Sequence, residues 1–182
     1  PLPLSTTRMY SLDAGADNIE VTIFGGGTEY IRVVDNGSGM SEENAKLAVL
    51  RHATSKIRAA EDLLHLNTLG FRGEALPSIA SVSNFQLLTR PVTEEFATSI
   101  KIEGGDQAEC IATGGHTGTT IIVENLFFNV PARRKFLRTI QTESRYISEL
   151  ITKLALSRPD VRFKLISNDK EVLSTPGNGY LV

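Results

Sequence analysis

The run Asp35-Asn-Gly-Ser-Gly39 has residue types that can do recognition chemistry. An aspartate closing a β-rich run can accept a hydrogen bond from an exocyclic amine such as adenine N6. Glycines two and four residues later, Gly37 and Gly39, let the backbone turn sharply and approach a flat ring closely. Asp-Asn-Gly is also an ordinary turn sequence, and taken alone that is its commoner meaning. The stretch Leu69-Gly-Phe-Arg-Gly73, followed by Glu74, carries more information. Backbone N–H groups of Leu69, Gly70, Phe71, Arg72 and Gly73, ahead of a helix start, can cradle phosphate oxygens. Thr54, Ser55 and Lys56 can add two hydroxyls and a positive charge, although a solvated loop would use the same residues. Nothing reads G-x-x-x-x-G-K-[ST], so a phosphate site here would not be a Walker A loop. Thr119 opens the most β-branched run of the chain, and its hydroxyl can sit beside the same ring as Asp35. Strand propensity alone also explains a threonine there.

Three further groups are weighed against simpler meanings. Arg133-Arg134-Lys135 follows Pro131 in an apparent helix start, and suits phosphate contact with DNA or a nucleotide as well as a solvated charged face. His52, His65 and His116 lack metal-ligand spacing, and with one cysteine there is no zinc cluster. Cys110, in Ala-Glu-Cys-Ile-Ala, reads as a small core residue of a strand rather than a nucleophile.

Regular elements must hold these residues in place. Ile19, Val21 and Ile23 alternate with polar residues, Gly25 to Gly27 turn, and Tyr30 to Asp35 forms a second strand, giving a hairpin that ends on Asp35. Ser41 is a good helix N-cap, followed by Glu42 and Glu43 at the positive end of the dipole, with Ala45, Ala48 and Val49 on one face. Residues 52–75 are irregular apart from a short helical piece near 61–66, as binding loops and lids often are. Residues 73–81 predict a short helix. Strands are predicted at 85–89, 97–103, 107–112 and 119–124. A long helix is predicted at 142–157, where Tyr146, Ile147, Leu150, Ile151, Leu154 and Ala155 form an apolar stripe. Arg158-Pro159 ends it, and residues 161–173 form a last hairpin around Asn168-Asp169. Hairpins mixed with helices favour a mixed, largely antiparallel sheet with helices on one face.

At 182 residues the chain fits one domain with a real core, and its net charge of −2 confines any DNA contact to a local patch. The single cysteine fits a reducing cytoplasm, and no apolar run reaches membrane-spanning length.

Taken together, in order and spacing, these stretches resemble the MutL-type DNA mismatch repair proteins. These belong to the ATPase superfamily that includes DNA gyrase, heat-shock chaperones and histidine kinases. Asp-x-Gly-x-Gly points only to the superfamily. The sequences Arg51-His-Ala-Thr-Ser-Lys56, Leu69-Gly-Phe-Arg-Gly-Glu-Ala-Leu76 and Asn129-Val-Pro-Ala-Arg-Arg-Lys-Phe136 point to the MutL branch. The likeness runs from about Ser11 to near Gly179. It implies an α/β two-layer sandwich, the Bergerat fold. It also implies ATP as ligand, with Asp35 on adenine and Thr119 assisting through water, Gly37 and Gly39 making room for the ring, and Ala14 lining the pocket. Residues 52–75 would form the ATP lid, with Thr54, Ser55, Lys56 and the Gly70–Gly73 amides near the phosphates. Binding would close two copies into a dimer that meets DNA, a mismatch recognition protein and other repair proteins.

The chain departs from the pattern upstream of Ser11. Where the family reads Glu-Leu-Val-Glu-Asn, the general base and the magnesium-holding amide are replaced by Thr6 and Tyr10. A threonine hydroxyl cannot act as general base near neutral pH, and its loss slows hydrolysis by about a hundred- to ten-thousand-fold. A phenol is a poor ligand for Mg2+. ATP binding without efficient hydrolysis is therefore expected, with no catalytic or metal-ligating residue assigned. Residues 1–10 are expected to be irregular or foreign, and 11–182 to form the ATP-binding domain without the second ATPase subdomain. Two alternatives are a non-catalytic DNA- or partner-binding module and the ATPase domain of another superfamily member, such as a type II topoisomerase.

Overall fold

The computed structural model describes residues 11–50, 75–106 and 108–180. Among these residues eight strands form one sheet: β1 (Asn18–Phe24), β2 (Tyr30–Asp35), β3 (Asn84–Arg90), β4 (Ala97–Glu103), β5 (Glu109–Thr113), β6 (Gly118–Glu124), β7 (Arg162–Ser167) and β8 (Lys170–Ser174). Their order across the sheet is β5-β4-β3-β6-β2-β1-β7-β8. Every pairing is antiparallel except β1 with β7. The expected mixed, largely antiparallel sheet is observed.

Alternation gives the sheet two unlike faces. On one, Val21, Val33, Ile121, Leu87 and Ile100 lie side by side across five strands, all buried. Cys110 extends this row on β5, partly buried against the core, as its flanking residues predict. The opposite face carries ion pairs, including Glu20 with Arg32 at 3.7 Å and with Lys164 at 3.6 Å.

Helices α1 (Glu42–Val49), α2 (Ala75–Ala80), α3 (Pro131–Lys135) and α4 (Ile140–Ser157) accompany the sheet. Three of them, α1, α2 and α4, bury apolar residues in the same core as the apolar rows. In α1 the Ser41 side chain accepts from the Asn44 N–H, and Ala45 and Val49 are buried, as the sequence predicts. Helix α4 begins two residues before its predicted start. Thr139 is its N-cap and accepts from the Thr142 N–H, while Ile140, one of the two added residues, stays exposed. The apolar stripe begins only further along and so gave no signal there. Strand β5 starts at Glu109, two residues later than predicted, and Ser81 falls in a turn after α2.

Gly25 to Gly27, expected as a simple turn, form a short 3-10 segment with all three glycines buried. Gly26 sits at φ +65, where a Cβ would come within 2.8 Å of the Ile140 carbonyl oxygen. The close seating of the hairpin tip on α4 thus requires glycine. Residues 1–10 and the stretch 51–74 lie outside the described residues. The predicted helical piece near 61–66 falls there with them.

Candidate functional site

Two residues along from the apolar row and on the same face, the same five strands carry Ile19, Asp35, Thr119, Thr89 and Thr98. Three central strands thus present Asp35, Thr119 and Thr89 side by side at the end of the sheet, and all three are buried. This row is the polar centre of the candidate site.

The Asp35 carboxylate is held from three directions. Ser11 Oγ donates to Oδ2 at 2.6 Å, while the Gly37 and Thr119 backbone N–H groups donate to Oδ1 at 3.0 and 3.2 Å. A carboxylate offers about four lone-pair positions, so one on Oδ2 remains available for an incoming donor. Burial pushes the Asp35 carboxyl above its ordinary value of 3.8, against the lowering effect of the three hydrogen bonds. An acceptor kept ionised at such a site gains more from a new donor than one already solvated by water.

The turn after β2 is fixed to the segment before β1. Asn36 Oδ1 accepts from the Asp17 and Asn18 N–H groups at 3.1 and 3.0 Å, and Asn36 Nδ2 donates to Asp17 Oδ1 at 2.6 Å. The Ser38 N–H donates to the Ala14 carbonyl at 3.0 Å. A Cβ on Gly37 would come within 2.9 Å of the Ala14 methyl. Gly39, at φ +67, faces the Arg90 carbonyl so closely that a Cβ would collide with it. Both glycines therefore have packing reasons within the protein, beside any room they leave for a ring.

Thr89 closes the row. Its hydroxyl accepts from the Met40 N–H at 2.9 Å, donates to the Gly118 carbonyl at 3.1 Å and meets Thr119 Oγ1 at 3.1 Å. Next to it, the Arg90 guanidinium donates to the carbonyls of Gly115 and Glu94 and to Thr117 Oγ1, all within 2.9 Å. These bonds fix the exit of β3 and the entry to β6, on which Thr89 and Thr119 lie.

Of the residues singled out from sequence, Ala14, Asp35, Gly37, Gly39 and Thr119 converge at this end of the sheet. Thr54, Ser55, Lys56, Leu69, Gly70, Phe71, Arg72 and Gly73 lie outside the described residues, as do Thr6, Tyr10, His52 and His65. His116 is exposed. Sequence reasoning did not select Ser11 or Thr89. Ser11 marks where the family likeness begins, but Thr89 in a strand looks like β-propensity until the register sets it beside Thr119.

Arg133, Arg134 and Lys135 sit on α3, which buries no residue, and their side chains make no ion pair among the described residues. Phe136 beside them is 88% exposed. Among the described residues no group of three histidine, cysteine, aspartate or glutamate side chains could hold a metal ion, and no helix is long and apolar enough to cross a membrane.

Comparison with known proteins places this geometry in context. Residues 10–112 match the family described as histidine kinase-, DNA gyrase B-, and HSP90-like ATPase. The DNA mismatch repair protein MutL of Desulforamulus reducens is 54% identical over 94% of this chain, and that of Agathobacter rectalis is 50% identical over 93%. The chain spans about a quarter of the length of these relatives, 27% and 26%. Among solved structures, the Aquifex aeolicus MutL ATPase domain complexed with ADP superimposes with a TM-score of 0.79 at 35% identity, over 96% of this chain and 62% of that one. The chain therefore belongs to the histidine kinase-, DNA gyrase B- and HSP90-like ATPase family, and within it corresponds to the N-terminal ATPase region of MutL.

Proposed function

We propose that this chain binds an adenine nucleotide, with Asp35 reading the base. The observation that carries the reading is the buried Asp35 carboxylate, held by three protein donors and left with one acceptor position, beside the Thr119 hydroxyl. An exocyclic amine fits that vacancy, whereas a second acceptor would be repelled. Gly37, Gly39 and Ala14 would shape the pocket around the ring. Thr54, Ser55, Lys56 and the amides of residues 69–73 would meet the phosphates. The solved Aquifex aeolicus relative, complexed with ADP, supports the nucleotide class.

Turnover is expected to be slow, because Thr6 and Tyr10 stand where the family has its general base and magnesium-holding amide. Magnesium would accompany ATP, without a ligand assigned from this chain. In the whole protein, ATP binding would close two copies into a dimer acting with a mismatch recognition protein in the cytoplasm. Arg133, Arg134 and Lys135, which make no ion pair among the described residues and lie beside exposed Phe136, support binding to the DNA backbone. Charge reversal there should weaken duplex binding and flatten its salt dependence by about one unit of slope for each phosphate no longer neutralised. An unchanged slope would rule out a role for these three side chains on DNA.

Calorimetric titration with ADP tests the nucleotide site. The chain should bind, and Asp35→Ala should bind about 10- to 150-fold more weakly, the range for hydrogen bonds to a charged group. Equal affinity of the two proteins would sink the reading.

A further inference from the structure

The hydroxyl of Thr89 has three partners, and their chemistry fixes where each proton lies. The Met40 N–H can only donate, so it uses one lone pair of Thr89 Oγ1. The Gly118 carbonyl can only accept, so it takes the single Thr89 proton. A hydroxyl has one proton and two lone pairs. The remaining neighbour, Thr119 Oγ1 at 3.1 Å, must then supply the proton of the bond between the two threonines. This is the only assignment that satisfies all three contacts.

We infer that Thr89 is a specificity-determining positioning residue, which takes the Thr119 proton and so leaves Thr119 Oγ1 as an acceptor toward the base. The inference rests on the adenine-site reading above. Asp35 is an acceptor by its charge, but a threonine hydroxyl is ambivalent and could rotate to donate. With Thr89 in place, Asp35 and Thr119 together present only acceptors to the purine C6 position. A 6-amino group offers two hydrogens and suits this arrangement. A 6-oxo group offers none and meets repulsion from both sides.

Thr89 does this without touching the ligand, through atoms that are buried and already hydrogen-bonded. Its backbone position supports the role. It is cross-strand neighbour to Thr119 on β6, and its contact with Met40 ties the Gly37–Gly39 turn to the same point. Removing the Thr89 oxygen would free the Thr119 proton, and a donor would appear in the pocket.

The experiment measures the ratio of ADP to inosine diphosphate affinity, which a merely structural role would leave unchanged. The chain should favour ADP by about a hundred-fold or more, since buried acceptors aimed at the 6-position strongly reject a base that carries no hydrogen there. In Thr89→Val the ratio should fall by about ten-fold, partly through tighter inosine diphosphate binding, while Thr89→Ser should retain it. Circular dichroism would establish that each variant is folded. If the valine variant does not fold, Thr89→Cys, with a weak acceptor at similar volume, reads the same ratio. A ratio that falls in Val or Cys and holds in Ser supports the inference. A ratio unchanged in the folded variants, with ADP still bound, overturns it and leaves the adenine site standing. Failure of the parent chain to bind ADP overturns the site reading itself, and this inference with it.

Discussion

Two neighbouring rows of the sheet are equally buried and do different work. Val21, Val33, Ile121, Leu87 and Ile100 form one; Ile19, Asp35, Thr119, Thr89 and Thr98 form the next, and no residue of either exceeds 8% exposure. The first row is held by removal of apolar surface from water, which is non-directional. The second is held by oriented hydrogen bonds, which must close on one another because an unsatisfied buried polar group costs about 1–3 kcal/mol. Closure leaves one acceptor position on Asp35 unused. The contrast shows that depth alone does not separate core from site; unspent hydrogen-bonding capacity does.

The largest expected effect comes from cutting the apolar row. Leu87→Ala, at a fully buried central position, should cost about 2–5 kcal/mol, read from the urea midpoint. ADP affinity of the folded protein should barely change. If affinity fell as far as in Asp35→Ala, the two rows would not be separable and the comparison would break.

A smaller effect of opposite kind is expected in the polar row. The folded Asp35 carboxyl titrates above its ordinary 3.8, mainly because burial disfavours its charge. Its protonated form is therefore favoured by folding. The stability it contributes is fully present below pH 3.8 and is lost as pH rises through the folded value. Asp35→Asn keeps the shape without the charge, and its amide can still donate to Ser11. Relative to this variant, the parent chain should lose stability as pH rises from about 4. Thermal unfolding across pH checks the sign, and a constant difference between the proteins would contradict it. The smallest shift belongs to Ser11→Ala in the same experiment. Losing a hydrogen bond that favours the charged form should raise the Asp35 titration further and extend the loss to higher pH.

Much of the first row was legible in sequence, because alternation marks a strand wherever one face is buried. Ile19, Val21 and Ile23, and Val161, Phe163 and Leu165, show it plainly. The pairing of strands was not legible. Nothing local to residues 84–90 says that β3 lies between β4 and β6 rather than beside β2. For the same reason Asp35 and Thr119, although each was a candidate by residue type, were tied to one site only by the family likeness, while Thr89 was passed over. Its function depends on a neighbour thirty residues away, set by register and not by spacing. The start of α4 was missed on different grounds: Thr139 and Thr142 are equally good caps by type, and only the backbone shows which is used. Residues 52–75, read as the lid, lie largely outside the described residues.

The single parallel pairing has a consequence for the order of synthesis. Strand β1 finds β2 within a few residues, but its other edge waits for β7, with about 140 residues between Asn18 and its partner Arg162. At roughly 5–20 residues per second, a ribosome takes about seven to thirty seconds to supply that strand. During that interval Ile19, Val21 and Ile23 border an unpaired edge, the kind that recruits other chains. The nascent protein is thus most exposed to aggregation at the middle of its sheet rather than at its final edges, and the last quarter of the described chain acts as its seal.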